Sequence, residues 1–217
     1  MSISVGIVNY GMGNLRSVEK AVERIGAEPL IGADPGTLEH TDGLILPGVG
    51  AFPKAMERIR ERGFDRYLHT RIAAGTPVLG VCLGMQLLFE RSSEGPGAEG
   101  LGLLAGAVEE LDAPGLKLPH IGWSPLKLER ESALTSATDD GEPFYFVHKF
   151  APRPEAADLI ASAAYGERFA AVVGRGLVYG AQFHPEKSSA AGLRMLASFV
   201  SICSSVGDGV GAGVAGG

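Results

Sequence analysis

Apolar runs and helical stripes alternate over the first ninety residues of this chain. Ser4-Val5-Gly6-Ile7-Val8 is a short, nearly continuous apolar run, the pattern of a strand buried on both faces. Leu15, Val18, Val22 and Ile25 then recur at three- and four-residue intervals, one stripe of an amphipathic helix, with Asn14 in the capping position. Pro29-Leu30-Ile31 and Gly43-Leu44-Ile45-Leu46 read as short strands, and 52–62 as a helix turning Met56 and Ile59 inward. Pro77-Val78-Leu79 reads as a strand and Met85-Gln86-Leu87-Leu88-Phe89 as the helix that follows it. Strands alternating with helices build a mainly parallel sheet covered on both faces.

Beyond residue 99 the pattern changes. Segments 107–111, 126–128, 144–148 and 170–173 are short strand candidates separated by Gly and Pro turns, and 91–100 reads as a loop. Gly174-Arg175-Gly176 is a hairpin turn into the run Leu177-Val178-Tyr179-Gly180-Ala181-Gln182. A last helix over 190–203 places Leu193, Leu196, Phe199, Val200 and Cys203 on one face. The expected architecture is α/β: a flavodoxin-like three-layer sandwich whose mainly parallel central sheet gains antiparallel additions in the second half. One domain is expected over 1–203, and 204–217 is read as a disordered, dispensable Gly-rich tail.

Composition narrows the function classes. The 217 residues suit one domain with a sizeable core, and 45% hydrophobic with 20% charged residues is ordinary for a soluble globule. A net charge of -6 argues against a general binder of nucleic acid or anionic membranes. No apolar run is read as reaching membrane-spanning length, and the N-terminus enters a strand without a signal-peptide pattern. Cys82 and Cys203 show neither metal-ligand spacing nor a disulfide framework, so a reduced cytoplasm is the expected compartment.

Gly80-Val81-Cys82-Leu83-Gly84 lies between the strand and the helix around residue 82. Glycines on both sides are expected to let the backbone take a strained turn that a side chain would block, which makes a nucleophile elbow, here with sulfur as the nucleophile. The helix N-terminus favours the reactive thiolate. Phe183-His184-Pro185-Glu186 follows a strand-like run, and an extended backbone before the proline would turn His184 and Glu186 to one face. Cys82, His184 and Glu186 then form a triad of nucleophile, base and orienting carboxylate. A cysteine after a buried strand is more often a small core residue, and a single histidine more often structural. The two motifs together favour catalysis.

Leu46-Pro47-Gly48-Val49-Gly50-Ala51-Phe52 ends one strand and opens a helix. Its backbone N–H groups at Val49 and Gly50, with that of Leu83, are candidates for an oxyanion hole, against the plainer reading of an ordinary turn. Asn9-Tyr10-Gly11-Met12-Gly13-Asn14 hints at a dinucleotide fingerprint, but Arg16 stands where the third glycine belongs, so a turn facing the active site or a partner is favoured. The aromatics and histidines of His120-Ile121-Gly122-Trp123 and of Phe144-Tyr145-Phe146-Val147-His148-Lys149-Phe150 read either as packing under a sheet edge or as a wall of the substrate pocket or a docking surface. His40 and His69 lie in polar contexts at the surface.

On its Gly80-Val81-Cys82-Leu83-Gly84-Met85-Gln86 and Phe183-His184-Pro185-Glu186 segments the chain resembles the class I, or triad, glutamine amidotransferases. More narrowly, it resembles the glutaminase subunits of imidazole glycerol phosphate synthases of histidine biosynthesis. That likeness rests on Tyr10-Gly11-Met12-Gly13-Asn14-Leu15, Pro47-Gly48-Val49-Gly50-Ala51-Phe52, His120-Ile121-Gly122-Trp123, Phe146-Val147-His148 and Glu186-Lys187-Ser188. The resemblance implies that Cys82 attacks the carboxamide of L-glutamine, with Gly48, Gly84, Gln86, His148, Lys149 and Phe150 around the substrate. It implies passage of ammonia to a separate (β/α)8-barrel cyclase in a heterodimer, with Asn14, Trp123 and Lys187 at the interface. It implies no metal and no organic cofactor. The chain departs from the family's usual Ser-Tyr after Val-His, having Lys149-Phe150, and from its usual Asn after Gly-Trp, having Ser124. Two alternatives stay open: a glutaminase serving another synthase, and a stand-alone cysteine hydrolase of related fold.

Overall fold

The computed structural model describes residues 2–211, and side chains as far as Val206. Strands β1 (Ser4–Val8), β2 (Glu28–Gly32), β3 (Gly43–Gly48) and β4 (Val78–Cys82) alternate with helices α1 (Leu15–Arg24), α2 (Phe52–Glu61) and α3 (Phe64–Ala73), and a short helix α4 (Leu83–Leu87) follows β4. The second half carries β5 (Phe89–Ser92), β6 (Ala98–Glu99), β7 (Leu104–Glu110), β8 (His120–Pro125), β9 (Lys127–Leu128), β10 (Pro143–His148), β11 (Phe150–Pro154), β12 (Leu159–Tyr165), β13 (Glu167–Arg175) and β14 (Val178–Ala181), then α5 (Ser189–Gly211).

The main sheet has the order β2-β1-β3-β4-β14-β13-β12-β9. Pairing is parallel from β2 through β4 to β14 and antiparallel from β14 outward. Period-two alternation along its strands divides the apolar side chains between two layers. Val5, Ile7, Ile45, Leu79 and Val81 face α1 and α5, where Val18, Val22, Met195, Leu196 and Phe199 cover them. Leu44, Leu46 and Val78 face α2 and α3, under Phe52, Met56, Ile59, Phe64 and Leu68. The result is the expected three-layer sandwich, and the first βα units run as read from the sequence.

Several local readings are corrected. The helix after Cys82 ends at Leu87, and the segment read as a helix end and loop holds β5 and β6. The cause is remote in sequence: Leu101 N–H donates to the Leu87 carbonyl, and Leu103 and Leu104 N–H donate to that of Leu88, capturing the groups a longer helix would have used. Helix α3 went unread because its buried face includes Arg71, which breaks the apolar stripe. The Arg71 guanidinium donates to the carbonyls of Leu38, Glu39 and Thr41 and so needs no apolar partner. Asn14 holds the N-cap position of α1 without a side-chain capping bond.

Helix α5 runs past the expected end at Cys203 to Gly211, because half-buried Val206 extends the face of Ile202 and no proline intervenes. The expected tail from residue 204 therefore overlaps α5, and its remainder, 212–217, lies outside the described residues. Ser189–Val206 is also long and apolar enough to cross a membrane by length and composition, contrary to the sequence reading. Its Met195, Leu196, Phe199 and Cys203 stripe packs into the core instead.

Candidate active site

In an open α/β sheet the natural binding crevice lies outside the carboxyl ends of the parallel strands. Here β3 ends at Gly48, opposite Cys82 at the end of β4, and the chain leaving β14 reaches His184 three residues later. Cys82 has φ 55° and ψ −114°, a strained conformation for a residue with a side chain. The flanking glycines serve a different purpose from the expected one, since neither has a positive φ. A Cβ on Gly84 would stand 1.7 Å from the Leu46 carbonyl oxygen, and one on Gly80 would stand 2.6 Å from the Gly84 oxygen. Their absence of side chains lets α4 press against β3 and β4, and that packing holds Cys82 in its strain.

His184 and Glu186 meet, but not along an extended segment. Pro185–Lys187 form a 3₁₀ turn with His184 as its cap, and the turn swings Glu186 back so that its Oε1 lies 2.8 Å from His184 Nδ1. His184 is held from behind by its N–H bond to the Tyr145 carbonyl, and the Ser188 hydroxyl donates to the His184 carbonyl. Burial opposes charge on His184, but hydrogen bonds to Cys82 and Glu186, with their negative charge, raise its pKa to about 10. Nucleophile, imidazole and carboxylate are buried together, with both side chains of the His184–Glu186 pair almost fully covered. Cys82 Sγ also lies 3.6 Å from the Val147 carbonyl and 4.0 Å from Gln182 Nε2.

A cavity of about 250 Å³ opens over the sulfur, lined by Val49, Gly50, Leu83, Gln86, Glu94, His148, Lys149, Phe150 and Lys187 among others. Val49 and Gly50 line the same cavity as the sulfur, and Gly50 has φ 98°. Gly48 and Gly84 do not line it. A Cβ on Gly48 would stand 2.5 Å from the Tyr10 hydroxyl, so Gly48 is a packing position. Gln86 donates to the Phe150 carbonyl at 2.8 Å and to Gln182 Oε1 at 3.1 Å. His148 is buried, and burial above all pushes it down to about 4. Lys149 pairs with Glu110 at 3.0 Å at the cavity edge.

Asn14 and Trp123 lie away from the cavity lining, with Trp123 half exposed beside exposed Ile121, whereas Lys187 lines the cavity. The Asn9–Asn14 turn meets this region through Met12, whose Cε faces Gly50, and through Tyr10, whose hydroxyl faces Gly48.

Two lining or supporting residues were not read from the sequence. Glu94 accepts the Phe52 N–H at 2.7 Å and so caps α2 from a loop 42 residues away, with no local signal. Gln182 had one: a fully buried amide at the end of an otherwise apolar run. Taken together, the cavity offers a buried cysteine beside a buried imidazole–carboxylate pair, with carboxylate and ammonium groups among its lining residues.

The chain belongs to the class-I glutamine amidotransferases, whose family model matches residues 7–203. It is 50% identical over 201 residues to the imidazole glycerol phosphate synthase subunit HisH of Bacillus licheniformis, covering 90% of this chain and 94% of that protein. It is 45% identical over 213 residues to the protein of the same name from Geobacillus kaustophilus, covering 94% and 100%. Its fold matches a crystal structure of a glutamine amidotransferase with a TM-score of 0.73 at 23% identity, over 92% of this chain and 98% of the other. A PurLQS structure from Thermotoga maritima matches with a TM-score of 0.74 at 23% identity, over 93% and 99%.

Proposed function

We propose that this chain is the glutaminase subunit of an imidazole glycerol phosphate synthase and that Cys82, His184 and Glu186 carry its chemistry. The observation that carries the reading is the strained Cys82 beside a buried His184 whose Nδ1 lies 2.8 Å from Glu186 Oε1. Cys82 Sγ attacks the side-chain amide carbon of L-glutamine. The oxyanion that forms is held by backbone N–H groups of Val49 or Gly50 and of Leu83. His184 gives its proton to the amide nitrogen, the C–N bond breaks, and ammonia leaves. His184 then takes a proton from water, which attacks the γ-glutamyl thioester. Glutamate departs and the thiolate returns. Glu186 holds the ring in the tautomer both steps need.

Recognition of the amino-acid end follows from charge. Among the lining residues, the Glu94 carboxylate and the Gln86 side-chain oxygen, whose amide N–H groups are already committed, are the acceptors available for an ammonium, and Lys149 and Lys187 supply positive charge for a carboxylate. Lys149 also explains how the departure from the family's serine is accommodated: its ammonium is anchored on Glu110 at the rim.

The ammonia is consumed by a (β/α)8-barrel cyclase, docked over the cavity mouth to form a heterodimer. The half-exposed apolar side chains of Val49, Ile121 and Trp123 fit such a docking face, with Asn14 and Lys187 at its margins. The protein is assigned to the cytoplasm. The deciding experiment measures glutamate release by this chain alone, with a barrel cyclase, and with cyclase and its nucleotide ligand. Release that depends on the cyclase supports the reading. Full release by the lone chain favours a stand-alone hydrolase, and response to a different synthase partner favours a different pathway.

A further inference from the structure

His120 and His148 lie outside the triad, and their hydrogen bonds leave each ring one proton arrangement. The Phe150 carbonyl oxygen can only accept, so His148 donates to it through Nδ1 at 2.9 Å. Burial lowers the affinity of both rings for a second proton, so His148 Nε2 is bare and must accept. Its partner at 3.2 Å, His120 Nδ1, is then the donor. That leaves His120 Nε2 as an acceptor, and the Ser124 hydroxyl donates to it at 3.1 Å. Tyr165 and Phe146 stack against His120, so the ring is gripped on its faces as well.

The Phe150 carbonyl receives a second donor, Gln86 Nε2, whose other N–H goes to Gln182. Both N–H groups of Gln86 are therefore committed inside the protein. Only its carbonyl oxygen is left for a ligand, and the Phe150 carbonyl is what prevents the amide from turning over. His120 and Ser124 belong to β8, whose side chains alternate: these two are buried, while Ile121 and Trp123 on the other face are exposed.

We propose that Ser124, His120 and His148 form a positioning relay that fixes the Phe150 carbonyl and the acceptor face of Gln86, and so sets how tightly the cavity holds the amino-acid end of glutamine. The relay rests on the glutaminase reading for its substrate. It touches neither the sulfur nor the reacting amide, so it acts on binding and not on the chemical step.

The test compares Ser124→Ala, which removes the terminal donor, with Ser124→Thr, which keeps a hydroxyl, in the complex with a barrel cyclase. Loss of one hydrogen bond from the relay is expected to raise KM for glutamine about three- to tenfold, with kcat within about twofold. The threonine variant is expected to restore KM, and ammonia-driven synthesis is expected to stay unchanged in both. Nitrogen-15 spectra of the wild-type imidazoles supply a second readout that needs no variant to fold: both His120 and His148 are expected to carry their proton on Nδ1. An unchanged KM in Ser124→Ala, a threonine variant no better than alanine, or a proton on Nε2 of either ring would overturn the relay. A wild-type complex that released no glutamate would instead overturn the glutaminase reading, and the spectra would still decide whether the relay exists.

Discussion

The two halves of the site are held in different ways. Cys82 is fixed within its own strand-turn-helix unit: α4 is pressed against β3 by glycines at 80 and 84, and the strain at φ 55° is local. The opposing wall is assembled from a distance. His184 hangs from Tyr145, β10 pairs with β8 in a separate two-stranded sheet, and Gln86 reaches across to Phe150. The sulfur thus sits at the end of the parallel core, whereas the His148–Phe150 side of the cavity sits on antiparallel strands attached to it. Strain stored at one point is inexpensive when a packed sheet surrounds it.

The comparison is broken most completely at the sulfur. Cys82→Ala is expected to lower glutamine hydrolysis by about four orders of magnitude or more, with circular dichroism and melting behaviour retained. Cys203→Ala is expected to leave catalysis intact, since burial pushes that thiol up to about 12 and its Sγ is packed against Gly43. A glutamine-derived electrophile followed by peptide mapping checks both. Modification of Cys203 that tracked loss of activity would reverse the assignment.

On the opposing wall, His184→Ala is expected to cost about a thousandfold or more, and Glu186→Gln less, because an orienting group contributes less than the base it orients. Ammonia-driven synthesis by the complex should survive both. If it fell in step with the glutamine-driven reaction, the division of labour between two subunits would be wrong.

A smaller effect is expected at the seam between the halves. Val49 is 41% exposed at the cavity mouth, between Gly48 and Gly50. One peptide flanked by glycines can turn its N–H toward or away from the oxyanion, and losing such a donor costs about a hundred- to a thousandfold. The lone chain is expected to be slower than the ligand-bound complex by that order. Equal rates in steady-state assays would show that the donor is already in place without a partner.

Legibility followed the same division. The elbow was readable because its consequences are local: Gly80, Cys82 and Gly84 lie within five residues. The triad partner was readable because His184 and Glu186 are two residues apart, although a 3₁₀ turn, and not an extended backbone, joins them. Helix α3 was hidden by Arg71, a buried polar side chain that satisfies itself on three carbonyls. Strand β5 was hidden because 101–104 ends the preceding helix from outside. Glu94 was unreadable for the same reason, since its partner is the start of α2, 42 residues earlier. The use of Gly80 and Gly84 was read correctly in place and wrongly in cause, because close approach of backbones cannot be distinguished from turn freedom without coordinates.

The smallest expected effect separates two histidines that both line the cavity. His184 is raised to about 10, so its contribution to stability is complete below the unfolded value near 6.5 and is lost as pH climbs toward 10. His148 is lowered to about 4, chiefly by burial, with His120 and His184 adding repulsion and the Phe150 carbonyl pulling the other way. For His148 the unfolded chain gains a proton below 6.5 that the folded chain refuses until about pH 4. Stability therefore falls with pH through that window, by on the order of 2–3 kcal/mol if this shift is fully expressed. His148→Gln removes the titration, so urea unfolding between pH 7 and pH 4.5 should show a shallower acid loss than wild type, whatever the variant costs at neutral pH. His184→Gln should flatten the alkaline side and leave most of the acid slope in place, since burial and not His184 is the main cause of the His148 shift. An acid slope unchanged by His148→Gln would show that this ring accepts its proton freely in the folded protein.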